Sequence, residues 1–94
     1  MKHLYLTMYR FHDGLDEDDL KKMAKKFLEV GGGQGIIAHY SRLDGKGGFI
    51  IQDIPNDPEK DYENTIQYTP FMDMEVVPIT TIEDAFPVFL RVYG

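Results

Sequence analysis

The chain has 94 residues, of which 43% are hydrophobic and 28% charged, the composition of one small globular domain and not of a disordered segment. It has no cysteine, which excludes a disulfide framework, a thiolate metal site and a thiol nucleophile. A net charge of −6 disfavours binding to nucleic-acid phosphates and to anionic membranes. No signal-like N-terminus and no long apolar run are present, which predicts a cytoplasmic protein.

The first half of the chain predicts a strand, a helix and a hairpin. Residues 3–11 alternate with the period of a strand, and its two faces are formed by Leu4, Leu6 and Met8 and by His3, Tyr5, Thr7 and Tyr9. Residues 16–30 have apolar side chains at helical spacing, with Asp16 as N-cap and Gly31 after the end. Residues 35–42 and 48–54 read as strands joined by a loop at 44–47.

The second half predicts a helix, a strand and a C-terminal extension. Asp57-Pro58 starts a helix that runs to about residue 68, where Pro70 stops it. Residues 72–79 alternate again, so Met72, Met74 and Val76 oppose Asp73, Glu75 and Val77. Pro87 is expected to forbid a long helix over 82–93, where residues 88–93 predict an extra strand or a packed tail.

The order β-α-β-β-α-β predicts a single α+β domain over residues 1–94, with both helices on one face of an antiparallel sheet. The uncovered face is expected to carry Tyr5, Tyr9 and Val77. Because this face forms a large apolar patch, we expect a homodimer in which two sheets pack face to face. The alternative is a monomer in which segment 82–93 covers the face.

Three segments carry a resemblance to a known group: LYLTMYRF at 4–11, the Asp57-Pro58 helix start, and MEVVPIT at 74–80. They resemble the dimeric α+β-barrel superfamily, most of all its short proteins of unknown function with a Glu-Val-Val-Pro final strand. The resemblance covers about residues 1–80, and segment 82–94 extends beyond it. It implies a ferredoxin-like βαββαβ protomer, a sheet-to-sheet dimeric barrel, and a small, often apolar ligand in a protomer cavity.

His39 and Glu75 are the candidate catalytic residues. His39 lies in the middle of the second strand and is expected on the open side of the sheet, where an imidazole suits general-base chemistry. The alternative is a hydrogen-bonded interface histidine. Glu75 would suit acid–base work if a partner buried it, and otherwise it is solvated or paired with Arg10 or Arg91. The two residues lie on strands that are not neighbours, which argues against a direct pair.

Tyr5, Thr7 and Tyr9 offer two phenols and a hydroxyl on one strand face. With His39 and Val77 they are the candidate ligand-binding residues, and the tyrosines equally suit a dimer interface. No metal site is predicted, since the three histidines lack a ligand spacing, and no cofactor is predicted. RNA binding is disfavoured because the third strand has Gly48, Ile50 and Asp53 where stacking aromatics would be needed.

Three functions are therefore compatible with the sequence. The first is binding of a small apolar or aromatic carbonyl or carboxylic ligand by a dimer. The second is a cofactor-independent monooxygenase- or isomerase-like enzyme with His39 as base and Tyr5 or Tyr9 orienting the substrate. The third is a structural dimerisation module. The sequence does not decide whether the chain is an enzyme. It also does not decide which side chains of strand 48–54 face the helices.

Overall fold

A computed structural model describes residues 1, 3–53 and 57–94 as an α+β fold with a four-stranded antiparallel sheet and three helices. The elements are β1 (Leu4–Phe11), α1 (Glu17–Val30), β2 (Ile36–Ser41), β3 (Gly47–Gln52), α2 (Pro58–Ile66), β4 (Met72–Ile79) and α3 (Ile82–Tyr93). The strand order in the sheet is β2-β3-β1-β4, so β1 and β3 are central. The predicted third strand ended at Ile54, which lies outside the described residues.

Helix α1 begins and ends where its capping residues dictate. The Asp16 carboxylate accepts a hydrogen bond from the Asp19 N–H at 2.8 Å, and the Asp19 carboxylate accepts one from the Asp16 N–H at 3.1 Å. These two bonds satisfy N–H groups that no helical turn reaches. Gly31 ends the helix at a φ of 76°, a left-handed value that glycine adopts readily. The chain then turns back toward β2.

Residues 82–93 form a helix, so the prediction of a strand or tail beyond Pro87 was wrong. The Thr81 hydroxyl caps the helix by accepting from the Asp84 N–H at 3.3 Å, and Glu83 and Asp84 lie in the first turn. Pro87 removes one backbone N–H, and its ring crowds the Glu83 carbonyl four residues earlier, a combination that usually costs about 3 kcal/mol. The helix nevertheless continues through Pro87, and its capping hydroxyl and acidic first turn favour the helical conformation at its N-terminal end. None of the described α3 side chains is buried.

The facing of the sheet also corrects the sequence-based expectation. The register places Thr7 opposite both Ile50 and Val76, and His39 opposite Ile50, so these residues share one face with Tyr9. That face is the one that α1 and α2 cover, not the exposed one. Alternation shows which side chains share a face, but the handedness of the β1-α1-β2 crossover decides which face the helix covers.

We call the opposite surface of the sheet the open face. The register assigns to it Leu6, Met8, Arg10, Phe49, Ile51, Glu75 and Val77. Val77 pairs with Leu6 and therefore lies on the other face from Tyr9, which corrects its predicted place beside the tyrosines. The pairing also settles the third strand: Ile50 and Gln52 point to the helices, and Phe49 and Ile51 to the open face.

Candidate functional site

A cavity of about 320 Å³ lies between the sheet and helices α1 and α2. Its sheet wall includes Thr7, Tyr9, Phe11, His39, Ile50, Gln52, Met72, Met74 and Val76. Its helix wall includes Met23, Ala24, Phe27, Asp61, Asn64, Thr65 and Tyr68. Most of this lining is apolar, with a small number of polar groups, which is the usual composition of a small-molecule pocket.

Tyr9 and His39 form a hydrogen-bonded pair on the sheet wall of this cavity. The Tyr9 hydroxyl on β1 lies 2.7 Å from Nε2 of His39 on β2, so the hydrogen bond spans β3, which lies between these two strands in the sheet. The Phe27 ring of α1 meets the His39 ring edge-on, with centroids 6.0 Å apart. Because Tyr9 is half-buried and His39 is exposed, the pair connects the cavity interior with solvent.

The protonation of the Tyr9 phenol follows from its surroundings. Burial raises the pKa of the Tyr9 phenol, so the phenol keeps its proton at neutral pH. In the tautomer of His39 that carries its proton on Nδ1, the phenol O–H donates to Nε2. In the other tautomer Nε2–H donates to the phenol oxygen. Either group of the pair is thus able to present a donor to a ligand in the cavity.

Gly48 makes room for the Tyr9 phenol. A β-carbon at position 48 would collide with the Tyr9 hydroxyl and with the backbone carbonyl of Tyr40 on the neighbouring strand. Gly48 is buried inside β3, where glycine has no conformational advantage. A glycine inside a strand pattern often marks such a close approach, and this signal was available in the sequence.

Two buried polar side chains line the cavity beside the pair. Thr7 is 7% exposed and Gln52 is 5% exposed. The Gln52 amide nitrogen donates to the Gln34 carbonyl at 2.9 Å, which fixes the side chain against the loop after α1. On the helix side, the Tyr68 hydroxyl donates to the Gly31 carbonyl at 2.6 Å. The first bond joins β3 to the loop after α1, and the second joins the ends of α1 and α2 to each other.

The structure brings together some of the sequence-predicted site residues and separates others. Thr7, Tyr9 and His39 line one cavity. Tyr5 shares their face through its pairing with Gln52, but its ring packs at a tilt against the His3 ring, with centroids 4.9 Å apart, and it is not among the described lining. Glu75 and Val77 lie on the open face.

Glu75 is therefore separated from His39 by the sheet. It lies opposite Met8 and is exposed. Among the described residues no ion pair joins it to Arg10 or Arg91, the partners that the sequence suggested. His39 and Glu75 thus do not form a catalytic pair within one chain.

Sequence reasoning missed the residues that close the cavity: Phe27, Gln52, Asn64 and Tyr68. Phe27 looked like an ordinary member of an apolar helix stripe, and Tyr68 falls after the end of α2. Of these four residues, Gln52 was the one whose role the sequence could have indicated. A side-chain amide within an apolar strand requires a hydrogen-bond partner when it is buried.

Alkaline pH provides a test of two phenols, the half-buried Tyr9 and the buried Tyr68. Burial raises the pKa of Tyr9 and of Tyr68. A group with a higher pKa in the folded chain stabilises the fold below its unfolded pKa, and that stabilisation is lost as pH rises further. We expect the free energy of unfolding to fall above about pH 10, where unfolded tyrosine ionises. In urea denaturation, the Tyr9→Phe/Tyr68→Phe variant should show a smaller fall, whereas equal falls would contradict the assignment.

Two features of other protein classes do not occur in the described part of the chain. None of its helices has both the length and the apolar character to cross a membrane. No three histidine or acidic side chains within residues 1, 3–53 and 57–94 form a group that could hold a metal ion.

In the comparison with protein families, a family model matches residues 3–93 of the chain. The matching family is described as Domain of unknown function (DUF3303). Comparison with curated proteins and with solved structures gave no match. Because the family match extends over nearly the whole chain, including all seven helices and strands described above, the chain belongs to the DUF3303 family.

Proposed function

We propose that this protein is a homodimer of ferredoxin-like protomers that binds a small, neutral, mainly apolar carbonyl compound in the cavity between the sheet and helices α1 and α2. The observation that carries the proposal is the Tyr9–His39 hydrogen bond of 2.7 Å on the wall of an otherwise mostly apolar cavity. A pair of this kind gives orientation to a ligand whose affinity comes mainly from burial of apolar surface.

The size of the cavity limits the ligand. At about 320 Å³ it is near the lower end of the range for ligand pockets, which suits a molecule of one or two rings. Met23, Met72 and Met74 line it, and methionine side chains adapt to irregular apolar shapes.

The charges around the cavity favour a neutral ligand over a carboxylate. Among the described lining residues Asp61 is the one carboxylate, and neither lysine nor arginine is present to pair with an anion. An anionic ligand would lose its hydration without gaining a cationic partner unless His39 were protonated. A carbonyl oxygen needs only a donor, which Tyr9 or His39 supplies. This narrows the ligand class predicted from the sequence, which included carboxylic compounds.

A pair of nearly isosteric probes tests this proposal. 2-Acetonaphthone is a neutral aryl ketone, and 2-naphthoate replaces its methyl ketone with a carboxylate. We expect the ketone to bind at least about tenfold more tightly at pH 8, a difference of about 1.4 kcal/mol, as measured by isothermal titration calorimetry. Tighter binding of 2-naphthoate would contradict the neutral-ligand part of the proposal. Failure of both probes to bind would contradict the proposal that the cavity binds a small, mainly apolar carbonyl compound.

Variants of the polar pair show whether the ketone contacts it. Tyr9→Phe removes one hydrogen bond and should weaken ketone binding by about 3- to 10-fold, the effect of about 0.5–1.5 kcal/mol. Tyr5→Phe removes a hydroxyl from the same strand face outside the described cavity lining and serves as the matched control. Equal affinities of the two variants would mean that the ketone does not reach the pair.

The same hydrogen bond favours a second candidate function, cofactor-independent proton transfer to and from a bound ketone. In this reaction Nε2–H of His39 donates to the Tyr9 oxygen, and the lone pair on Nδ1 removes a proton from the carbon next to the carbonyl while the Tyr9 O–H donates a hydrogen bond to the enolate oxygen. The ring then exchanges this proton with solvent and returns a proton or a deuteron to the same carbon, which restores the ketone. In D₂O, the methyl protons of 2-acetonaphthone would exchange for deuterium faster with the protein than without it. His39→Ala should abolish the acceleration, which NMR measures directly. No acceleration by the unmodified protein would leave binding as the function.

The dimer and the fold type belong to the proposal as well. The strand order β2-β3-β1-β4 with two helices on one face supports the ferredoxin-like assignment. The chain exposes 6968 Å², whereas a folded monomer of its mass exposes about 5,500 Å². The excess of about 1,400 Å² exceeds the ~800 Å² that one partner buries in a standard interface. The absence of cysteine supports a reducing compartment such as the cytoplasm.

A further inference from the structure

Helix α3 presents an apolar stripe that its own domain does not cover. Phe86, Phe89, Leu90 and Tyr93 recur at the spacing of one helix face, and they are 51%, 56%, 49% and 77% exposed. Their aromatic rings form a cluster in solvent, with centroids 6.4 Å apart for Phe86 and Phe89 and 5.0 Å apart for Phe89 and Tyr93. We call these four residues the α3 stripe.

The shape of the chain agrees with a helix that extends from the domain. The longest dimension is 54 Å and the radius of gyration is 15.9 Å, whereas a compact chain of this length has a radius of about 12 Å. The two-residue connection Thr80-Thr81 joins α3 to β4, which is an edge strand. A solitary apolar helix of 12 residues is marginally stable in water, so its stability requires a surface to pack against.

A surface that fits the stripe lies on the open face. A groove of about 340 Å³ there is lined by residues that include Met8, Arg10, Arg42, Phe49, Asp73 and Glu75, and no helix residue is among its described lining. Met8 and Phe49 provide apolar contact. Glu75 has no ion pair among the described residues, and Arg91 lies next to Leu90 in the last turn of α3. The groove therefore offers apolar contact to the stripe and one carboxylate, Glu75, to Arg91.

We propose that the α3 stripe of each chain packs in the open-face groove of a second copy of the same chain. This inference rests on the dimer in the proposed function and specifies which surfaces of its two subunits are in contact. A second copy is the occupant favoured here because the excess exposed area corresponds to a stable dimer interface. The groove is also continuous with the open face through which the dimer is proposed to form.

Twofold symmetry allows the two chains to exchange their α3 helices, so that each stripe packs in the groove of the other chain. Helix α3 leaves the sheet at the end where Leu4 pairs with Ile79, and the groove is at the other end, where Arg10 pairs with Asp73. A twofold axis that runs between two open faces and across the strands places the first end of one sheet over the second end of the other. Each α3 then begins beside the partner's groove, and both contacts form at once.

Cross-linking between single-cysteine variants tests the exchange, because the chain has no cysteine of its own. Leu90→Cys chains and isotope-labelled Phe49→Cys chains are mixed and treated with a short bismaleimide. We expect a cross-linked dimer containing one chain of each kind. Leu90→Cys mixed with Lys25→Cys, on helix α1 and outside the described cavity lining, is the control and should give little of this product. If instead a Leu90→Cys/Phe49→Cys double variant is linked within one chain of monomer mass, the inference is overturned.

A charge in the stripe gives a second, independent readout. Phe89→Asp should raise the dimer dissociation constant at least about 30-fold in sedimentation equilibrium, since aromatic residues at interface centres contribute 2 kcal/mol or more. Val92→Lys, which places a charge at an exposed apolar position of the last turn outside the stripe, where the helix dipole favours a cation, is the control. Binding of 2-acetonaphthone should survive in the Phe89→Asp chain. A dimer dissociation constant that Phe89→Asp leaves unchanged would overturn the packing of the α3 stripe in the partner's groove. Failure of the unmodified protein to bind 2-acetonaphthone would overturn the ligand proposal instead.

Discussion

Replacing Gly48 with alanine is expected to lower the free energy of unfolding by about 1–3 kcal/mol, the usual effect of forcing extra atoms into a packed site. The new β-carbon would meet the Tyr9 phenol on one side and the Tyr40 carbonyl on the other. The phenol can move by rotating its side chain, but the carbonyl belongs to the β2–β3 ladder and cannot move without disturbing it. The substitution should therefore strain the hairpin and break the Tyr9–His39 hydrogen bond together.

Urea denaturation measures the first effect, and the NMR signals of the His39 ring report the second. Ser41→Ala is the matched control, because Ser41 lies directly opposite Gly48 on β2 and is exposed. It should change stability by no more than about 0.5 kcal/mol. A Gly48→Ala protein that is as stable as the Ser41→Ala protein, with an undisturbed His39 ring, would show that the phenol does not occupy the space above Gly48.

Replacing Ala24 with phenylalanine is expected to abolish ketone binding while leaving the fold intact. Ala24 is on the helix wall of the cavity, so a benzyl group at this position would fill space that the ligand needs. We expect the affinity for 2-acetonaphthone to fall at least about 30-fold, which corresponds to about 2 kcal/mol of lost burial. Stability should stay within about 1 kcal/mol, because alanine and phenylalanine differ modestly in helix propensity and the ring gains apolar contacts.

Lys25→Phe is the control for this cavity-filling variant. It adds the same side chain at the next position of α1, which is exposed and outside the described cavity lining. Calorimetric titration should give the unmodified affinity for Lys25→Phe and no measurable heat of binding for Ala24→Phe. Equal affinities would place the ligand somewhere other than between the sheet and the helices.

The elements of this fold were largely predictable from local patterns. Asp16 and Gly31 define the ends of α1 because capping groups satisfy backbone N–H and carbonyl groups over one or two turns. Residues 72–79 alternate cleanly, and the strand has those bounds. Pro87 shows the weakness of a local rule, since the loss of one backbone hydrogen bond did not prevent a well-capped amphipathic helix.

The candidate site was predictable only in part. Thr7, Tyr9 and His39 were recognised from the sequence, and they do line one cavity. Their surroundings were predicted on the wrong side of the sheet, so Val77 and Glu75 were grouped with residues that they do not meet. The contribution of Phe27 and Tyr68 to the cavity could not be read from the sequence, because it depends on where two helices lie over the sheet.

The sequence by itself determined which side chains lie together on each strand face, because a period of two follows from the backbone geometry of any strand. It also determined the boundaries of α1, which depend on capping groups only a few residues apart. Only the tertiary structure decided that the face with Tyr9 and His39 is the covered one, because the handedness of a crossover is a property of three elements together. The same applies to the exposed α3 stripe: its apolar pattern is local, but its lack of a partner within the domain is a consequence of where the edge strand β4 ends.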